Sequence, residues 1–507
     1  MGIALHLPAV MAGLTVIVAL LAGETAAAWA FAGSGAACLG VAQLAVRLLP
    51  SNEERSSWLG MMSVAISWII VAASAALPLW GTAVLMGDDA GAARVFTDPG
   101  SALFEGFSGF TGTGLTMVGR ESQLPAAVQW WRTLTEWVGG LGIVVFAVAV
   151  LRPVQGSREL YLAEARDETI HHSMRGTVLR MWGLYLGLTT VSVLALAATG
   201  TGWWVALNHG MTGIATGGFA VTDESFVATS ALTRSVAIVI MAAGAISFVT
   251  HHLLLVERDY RAALRRTELR AFVFTLVAGA LVMEVVNSIE KESPSLLDSA
   301  FQWVSAAATA GFNSVDLRGW GSASLLQLVT VMIVGACAGS TGGGVKVDRA
   351  IWVFKDVRQR YGRLWAEGRK EPGYRFNGEN VDRDDAEHRV SIAAALVSLW
   401  AATLFIGTVV LLLTQGPDAN LDRTLFDAAS ALGTVGLTSG LTSPDLPGLS
   451  KAVLVVLMWM GRLEIFAALL LFQAPFVPLM RRFGRDPRDP ELNQAPEEAI
   501  EPAGEEA

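Results

Sequence analysis

The chain has 507 residues, of which 53% are hydrophobic and only 16% are charged. A soluble protein carries about 25% charged residues, so this composition excludes an ordinary soluble domain and indicates a polytopic membrane protein. The net charge of -9 comes partly from an acidic tail, and the two cysteines, Cys38 and Cys337, lie inside apolar segments, which argues against a disulfide framework.

The predicted spans begin with two apolar helices at about 3–21 and 25–49, the first of which lacks the basic start and cleavage site of a signal peptide. Further apolar segments follow in four pairs: 58–86 with 125–151, 176–201 with 230–256, 268–289 with 322–356, and 388–415 with 448–480. Because a span needs roughly 20 apolar residues, the sequence predicts ten spanning helices. The tail from residue 485 is rich in Pro and Glu and is predicted to be disordered.

A short Thr- and Gly-rich motif lies between the two members of each pair, and we call its copies cassettes 1 to 4. Each copy starts with Ser or Thr, ends with Gly six residues later, and is followed by a bulky apolar residue. The cassettes are Ser108–Gly114, Thr212–Gly218, Ser305–Gly311 and Ser430–Gly436. Four such turns in a membrane chain suggest four backbone segments around one axis, as in a cation selectivity filter.

The stretch that leads into each cassette is about 12 residues long, which as a helix rises about 18 Å, or half a bilayer. The residue nine positions before the terminal Gly is polar in every copy: Glu105, His209, Gln302 and Asp427. The sequence therefore predicts half-helices that enter the membrane and turn back. An ordinary amphipathic external loop is the weaker interpretation, because the same offsets return four times.

The basic residues indicate the orientation in the membrane. Most of the 36 Lys and Arg residues fall on the side opposite the cassettes, for example in 152–180, 258–270 and 346–389, whereas the cassette side is acidic. The positive-inside rule predicts that the cassettes face outward and that both termini are cytoplasmic. The outer acidic residues either concentrate cations near a pore mouth or are solvated loop charges without a steering role.

The cassettes contain no carboxylate, so their ligands for an ion would be backbone oxygens with some Thr hydroxyls. Glycine permits the backbone angles that turn carbonyls inward. A divalent ion would normally need carboxylates to offset its dehydration, so these ligands favour a monovalent cation.

A Gly-rich stretch, Ala338–Lys346, interrupts the segment 322–356. Glycines are poor helix formers at about 1 kcal/mol each, so this stretch should unwind inside the membrane. A phosphate-binding loop is excluded because Val345 separates the last Gly from Lys346 and Val347 follows, where that motif needs Ser or Thr. A simple flexible kink remains the alternative.

Arg462 lies within the last apolar segment, 448–480. A charge at membrane depth is costly and indicates a functional residue. The alternative is a structural ion pair with a carboxylate such as Glu136, Glu284 or Glu464.

The motifs together resemble the Trk/Ktr/HKT superfamily of potassium transporters over nearly the whole chain. The resemblance is carried by the four cassettes, by Trp137–Gly142, by Ala338–Lys346 and by Gly461–Phe466, in this order. The two extra leading helices and the Gly-Arg-Leu-Glu run are most similar to the membrane subunit of bacterial Trk potassium uptake systems.

The resemblance implies an all-α polytopic membrane protein with two leading helices and four pseudo-fourfold helix–pore-loop–helix repeats around a central pore. It places the repeats at 58–175, 176–267, 268–387 and 388–484, after the leading helices at 1–57 and before the acidic tail at 485–507. The implied potassium filter consists of Thr111, Gly112, Thr113, Gly114, Thr216, Gly217, Gly218, Thr309, Ala310, Gly311, Asn313, Thr434, Val435 and Gly436. The implied gate consists of Gly339, Ser340, Thr341, Gly342, Gly343, Gly344 and Lys346 together with a pore-facing Arg462.

The resemblance also implies potassium as the ion, no organic cofactor, a homodimer in contact with membrane lipid, and a cytoplasmic nucleotide-binding regulatory subunit of the TrkA type. It implies the bacterial inner membrane and no nucleic-acid partner. One departure is Gly112, which stands where the other cassettes have Thr216, Thr309 and Thr434, and we expect it to loosen the innermost site.

The expected function is potassium uptake through a gated pore rather than catalysis. A potassium–sodium or potassium–proton symporter of the same fold is the alternative, with Glu136, Glu284 and Glu464 as candidate coupling sites. A transporter for an organic solute would show two inverted halves, which the fourfold repeat in one orientation disfavours. No nucleophile, metal cluster or acid–base pair in the sequence supports a membrane enzyme.

Overall fold

The computed structural model describes residues 4–48, 57–142, 174–290, 294–365, 374–417, 419–463, 465, 468–469 and 471. Over these ranges the chain is mostly α-helical, with one short antiparallel hairpin, β1 (Tyr374–Phe376) and β2 (Glu379–Val381). The first helices are α1 (His6–Leu21), α2 (Thr25–Leu48), α3 (Ser57–Met86), α4 (Pro99–Thr111), α5 (Ala126–Leu141), α6 (Met174–Ala198), α7 (Trp203–Ile214), α8 (Ala231–Gly244) and α9 (Phe248–His252). The remaining helices are α10 (Tyr260–Arg265), α11 (Thr267–Ile289), α12 (Leu296–Ala307), α13 (Ser322–Val334), α14 (Val347–Trp365), α15 (Arg383–Gln415), α16 (Leu421–Leu432) and α17 (Gly448–Arg462).

Five helices of the described ranges are long and apolar enough to cross a membrane, and a sixth span results if the bent pair α8–α9 is counted as one. The long helices are α2, α3, α6, α11 and α15. The other predicted spans are shorter here, since α13 ends at Val334 and the described parts of α5 and α17 end at Leu141 and Arg462. The mostly helical, multi-span architecture is the predicted one.

Four short helices, α4, α7, α12 and α16, occupy the positions predicted for the half-helices, and we keep that name for them. They have 13, 12, 12 and 12 residues. Two of them begin at a side-chain cap: Asp98 accepts the main-chain N–H of Gly100 and Ser101 at 3.1 Å, and Ser295 accepts that of Asp298 at 3.3 Å. Such caps satisfy donors that a helix start would otherwise leave unpaired.

The half-helices are arranged in a closed ring. Each one packs between the two flanking helices of its own repeat, as α4 does between α3 and α5. The second flanking helix also packs on the half-helix of the next repeat: α5 on α7, α8 on α12, α13 on α16, and finally α17 back on α4. This last contact closes the ring between the fourth and the first repeat.

The predicted helix at 230–256 is broken, and its two parts meet at 105°. The main-chain groups freed at the break bond to the Gly-rich stretch of the third repeat. Ala245 accepts from the N–H of Cys337 at 3.0 Å, and the N–H of Phe248 donates to the carbonyl of Gly339 at 3.0 Å. The break depends on a partner about 90 residues further along the chain, so local sequence did not predict it.

The loop predicted between 355 and 389 contains more structure than its charged composition indicated. Helix α14 continues to Trp365, and the hairpin packs against it, with the rings of Trp352 and Phe376 stacked 4.9 Å apart.

Candidate functional site

The four half-helices end in the same turn. The residue two positions before the terminal Gly has a positive φ, 67° at Gly112, 53° at Thr216, 52° at Thr309 and 50° at Thr434. The next N–H reaches back to the carbonyl of the first cassette residue, as from Thr113 to Ser108 at 2.9 Å. The other three cassettes make the same bond, Gly217 to Thr212 at 2.9 Å, Ala310 to Ser305 at 2.8 Å and Val435 to Ser430 at 2.8 Å. This is the Schellman helix ending, and it explains the regular six-residue spacing.

The terminal glycines form the contact between neighbouring cassettes. Their φ angles are 84° at Gly114, 89° at Gly218, 75° at Gly311 and 96° at Gly436. A Cβ built on Gly114 would lie 2.0 Å from the carbonyl oxygen of Gly217 in cassette 2. A Cβ built on Gly218 would likewise lie 2.6 Å from the carbonyl oxygen of Ala310. One on Gly311 would lie 2.3 Å from that of Val435, and one on Gly436 would lie 2.2 Å from that of Thr113. Cassettes 1, 2, 3 and 4 therefore follow one another around a single closed ring, in which no residue with a side chain fits at these positions.

The polar residue nine positions before each terminal Gly anchors the segment that leaves the cassette. In all four repeats it accepts the N–H of the residue three positions after that Gly. The pairs are Glu105 with Met117 at 3.0 Å, His209 with Val221 at 3.1 Å, Gln302 with Ser314 at 2.8 Å and Asp427 with Ser439 at 2.8 Å. For Gln302 the side-chain amide is oriented so that its oxygen, and not its nitrogen, faces the main-chain N–H. The recurring polar position thus has a structural reason, which is to fix the path of the chain that leaves the cassette.

Two buried charged residues lie beside cassettes 1 and 2: Arg132, which the sequence analysis did not assign to the site, and Glu136, which it named only as a candidate coupling site or ion-pair partner. Arg132 is 2% exposed, forms an ion pair with Glu105 at 2.7 Å, and donates to the carbonyl of Ala220 at 3.0 Å. Glu136 is fully buried and accepts the N–H of Phe219 at 3.0 Å. In the sequence both residues are visible as charges inside the apolar segment 125–151. Such buried charges are costly unless they have a specific partner.

Asn313 lies two positions after the terminal Gly311 of cassette 3. Its N–H donates to the hydroxyl of Ser225 at 3.2 Å, and its carbonyl accepts from the N–H of Phe226 at 2.8 Å. These bonds connect the exit of cassette 3 to the segment that follows cassette 2.

The Gly-rich stretch between α13 and α14 is non-helical from Gly335 to Lys346, and we call it the intramembrane loop. It closes on itself: the N–H of Ala336 donates to the carbonyl of Gly343 at 3.1 Å, and the N–H of Val345 donates to that of Ile333 at 2.9 Å. The ammonium of Lys346 donates to the carbonyl of Gly342 within the loop.

The loop contacts the C-terminal ends of the half-helices, where the chain turns into the cassettes. A Cβ on Gly342 would lie 3.1 Å from the carbonyl oxygen of Ala308, and one on Gly343 would lie 2.3 Å from that of Gly433. The hydroxyl oxygen of Thr341 lies 2.9 Å from the carbonyl oxygen of Gly244 and 3.1 Å from that of Ile214, and its single proton is shared between them. The loop therefore contacts repeats 2, 3 and 4 directly.

Arg462 connects the loop to the first repeat. Its guanidinium donates to the carbonyl of Thr341 at 3.2 Å, to that of Gly140 at 2.9 Å, and to that of Gly139. The guanidinium carbon also lies 5.4 Å from the centre of the Trp68 ring. Of the carboxylates considered as its ion-pair partner, Glu136 and Glu284 accept bonds from Phe219 and Ser299, and Glu464 lies outside the described residues.

Most of the chain matches a known protein family. The family model TrkH, described as a cation transport protein, matches residues 34–476. The chain belongs to the TrkH family of cation transport proteins.

Two members of the TrkH family illustrate the similarity in sequence. The Trk system potassium uptake protein TrkH of Halomonas elongata is 32% identical over 452 residues, which are 85% of this chain and 89% of the relative. TrkH of Escherichia coli strain K12 is 30% identical over 447 residues, 84% of this chain and 88% of the relative.

A solved structure shows the same similarity in fold. The crystal structure of the potassium transporter TrkH from Vibrio parahaemolyticus superposes with a TM-score of 0.79 at 25% identity, and the match covers 94% of this chain and 97% of that one.

Proposed function

We propose that the chain takes up potassium through a pore at the centre of the cassette ring. The observation that carries this proposal is the closed ring of four turns, each with a glycine in contact with the next cassette. Backbone oxygens of the cassette residues, with Thr hydroxyls at the inner end, would replace water around a dehydrated monovalent cation. The relatives named as potassium uptake proteins support potassium as that cation.

The gate of this pore is the intramembrane loop together with Arg462. The loop packs against the C-terminal ends of the half-helices, and three main-chain carbonyls hold the guanidinium beside it. A positive charge below the ring would oppose the passage of a cation until the loop moves. We further propose that the chain forms a homodimer in a bacterial inner membrane with its termini in the cytoplasm. A nucleotide-binding regulator of the TrkA type opens the pore.

Growth rescue tests the proposal. The chain, expressed with its regulator in a bacterium that lacks its own potassium uptake systems, should restore growth at low potassium. A variant with Gly218→Ala, whose Cβ would collide with the Ala310 carbonyl, should express without rescue. Lack of rescue by the well-expressed parent chain would refute potassium uptake.

A coupled symporter of the same fold has one specific observation in its favour. Glu136 is fully buried beside cassettes 1 and 2, and among the described residues its Oε1 has no hydrogen-bond partner. Such a group could exchange a proton during transport. Currents from reconstituted protein distinguish the two mechanisms: reversal at the potassium equilibrium potential indicates a channel, and a shift of the reversal potential with the proton or sodium gradient indicates coupling.

A further inference from the structure

The intramembrane loop is held by the threonines that occupy the positive-φ position of three cassettes. The N–H of Gly343 donates to the hydroxyl of Thr309 at 2.8 Å. The hydroxyls of Thr216 and Thr341 lie 3.1 Å apart. A Cβ on Gly343 would lie 2.1 Å from the hydroxyl oxygen of Thr434, so the loop backbone lies directly against this side chain.

The first cassette has no such side chain. Gly112 adopts the same turn with φ 67°, and a Cβ built there meets no other described atom within 4 Å. The loop is connected to this quarter of the ring by Arg462, which joins Thr341 to Gly139 and Gly140 of the first repeat.

Gly112 and the three threonines occupy the same position of the same turn, so comparing them shows what the turn requires and what contact with the loop requires. Gly112 demonstrates that the turn itself does not require a side chain, and a β-branched residue at positive φ is strained. Strained backbone persists where another contact compensates for it. At Thr216, Thr309 and Thr434 the compensating contact is with the intramembrane loop.

We propose that Thr216, Thr309 and Thr434 are positioning residues that hold the intramembrane loop closed. Gly112 leaves the first cassette without such a contact, so an ion that has crossed the centre of the ring passes the loop on this side when the loop moves. This inference rests on the proposed function of the loop as a gate. It adds that the inner end of the filter and the gate are joined by direct contacts, and that these contacts are asymmetric around the ring.

Labelling of a native cysteine in the loop tests the positioning role independently of transport. Cys337 is 1% exposed, and its carbonyl accepts the hydroxyl of Ser340 at 2.6 Å. After replacement of Cys38 by Ala it is the only remaining cysteine, so the rate of its reaction with a maleimide in the full-length reconstituted protein reports opening of the loop.

Thr309→Val keeps the shape of the side chain and removes the acceptor for the Gly343 N–H, whereas Thr309→Ser retains the hydroxyl as the matched control. Loss of one neutral hydrogen bond should raise the labelling rate about fivefold in Thr309→Val. Thr309→Ser should be labelled at the rate of the parent chain.

Equal labelling rates in Thr309→Val and Thr309→Ser would overturn the positioning role. A changed ion ratio with unchanged labelling would instead assign Thr309 to the ion path alone. A parent chain that transports no potassium would refute the proposed function, yet the labelling rates would still decide whether the threonine holds the loop.

Substitutions at Gly112 test whether the ion passes the loop beside cassette 1. Gly112→Thr introduces the residue that the other cassettes carry at the same backbone angle, and Gly112→Ala reports the backbone strain alone. Rubidium influx should fall about fivefold in Gly112→Thr and by clearly less in Gly112→Ala, because a longer side chain narrows the passage and adds a contact below the ring. Equal influx in the two variants would overturn the assignment of the ion path to this quarter.

Discussion

At the scale of single residues, glycine has two different tasks in the cassettes. Gly112 adopts a positive φ where the space around its Cα is open. The terminal glycines also adopt a positive φ, but each of them lies against the backbone of the next cassette. The sequence pattern did not distinguish these tasks, because both appear as Gly in a short motif. The distinction required the position of the next cassette, which is about 100 residues away in the chain.

Gly114→Ala should abolish most transport, because its Cβ would lie 2.0 Å from the Gly217 carbonyl oxygen at a φ of 84°. Forcing an extra methyl into such a contact costs about 1–3 kcal/mol, which corresponds to a loss of about fivefold to about 150-fold in the uptake of rubidium. Gly119→Ala is the control, since its Cβ meets nothing within 4 Å. Normal uptake by Gly114→Ala would contradict the tight ring.

Glu121, in the short 3-10 turn after cassette 1 and outside the spanning helices, makes stability depend on pH. Burial raises the pKa of Glu121 from its ordinary 4.5 to about 7, an effect that Arg132 opposes and the carboxylates of Glu105 and Asp223 reinforce. The folded protein then holds a proton that the unfolded chain releases, so stability declines as pH rises from about 4.5 to about 7. The loss is about 3 kcal/mol at most.

Glu121→Gln should therefore flatten the pH dependence of the thermal midpoint over this window and give a higher midpoint than the parent chain above pH 7. The measurement is thermal unfolding in detergent at several pH values. Asp88→Asn, at a fully exposed carboxylate, should leave the slope unchanged. A parallel slope in Glu121→Gln would disprove the role of this group.

At the scale of elements, the intramembrane loop and the break between α8 and α9 satisfy each other's main-chain groups. Non-helical backbone in a membrane is tolerated only when protein or water provides its hydrogen bonds. Here Cys337 bonds to Ala245, and Phe248 bonds to Gly339. The glycines predicted the first interruption, but the second has no comparable local signal and arises from the contact between the two repeats.

Arg462→Ala should increase influx by about tenfold, because the loop loses the charged bonds that connect it to the first repeat. Arg462→Lys keeps the charge without the planar fork and should give an intermediate influx. The measurement is rubidium influx into proteoliposomes at matched protein content. Unchanged or lower influx in well-folded Arg462→Ala would reject the gate role.

At the scale of the whole molecule, the fourth repeat returns to the first. Lys451 of α17 reaches Asp98 at 3.1 Å and Ser101 at 2.9 Å, both at the start of the first half-helix. The residues are separated by 353 positions, so the contact exists only when the ring is closed. It thus links helix capping in the first repeat to the assembly of all four.

Lys451→Met should lower the thermal midpoint, because the ammonium is only 10% exposed while its carboxylate partner is half-exposed, and we expect a cost of about 1 kcal/mol. Arg94→Met, in an exposed pair with Asp88 near the same half-helix, should have no measurable effect. Equal midpoints for Lys451→Met and the parent chain would mean that this contact does not support ring closure.

The sequence by itself determined the membrane class, the four half-helices, their cassettes and the unwound loop, because apolar length, glycine content and repeated offsets are local properties of the chain. The recurring polar residue before each cassette was also visible, although its task was not. Tertiary structure alone decided which cassette adjoins which, where Arg462 and the three threonines contact the loop, and why α8 and α9 separate. These features depend on hydrogen bonds and close contacts between residues from different segments, such as pairs 34 and 323 positions apart. A pattern within one segment carries no information about its neighbour in space.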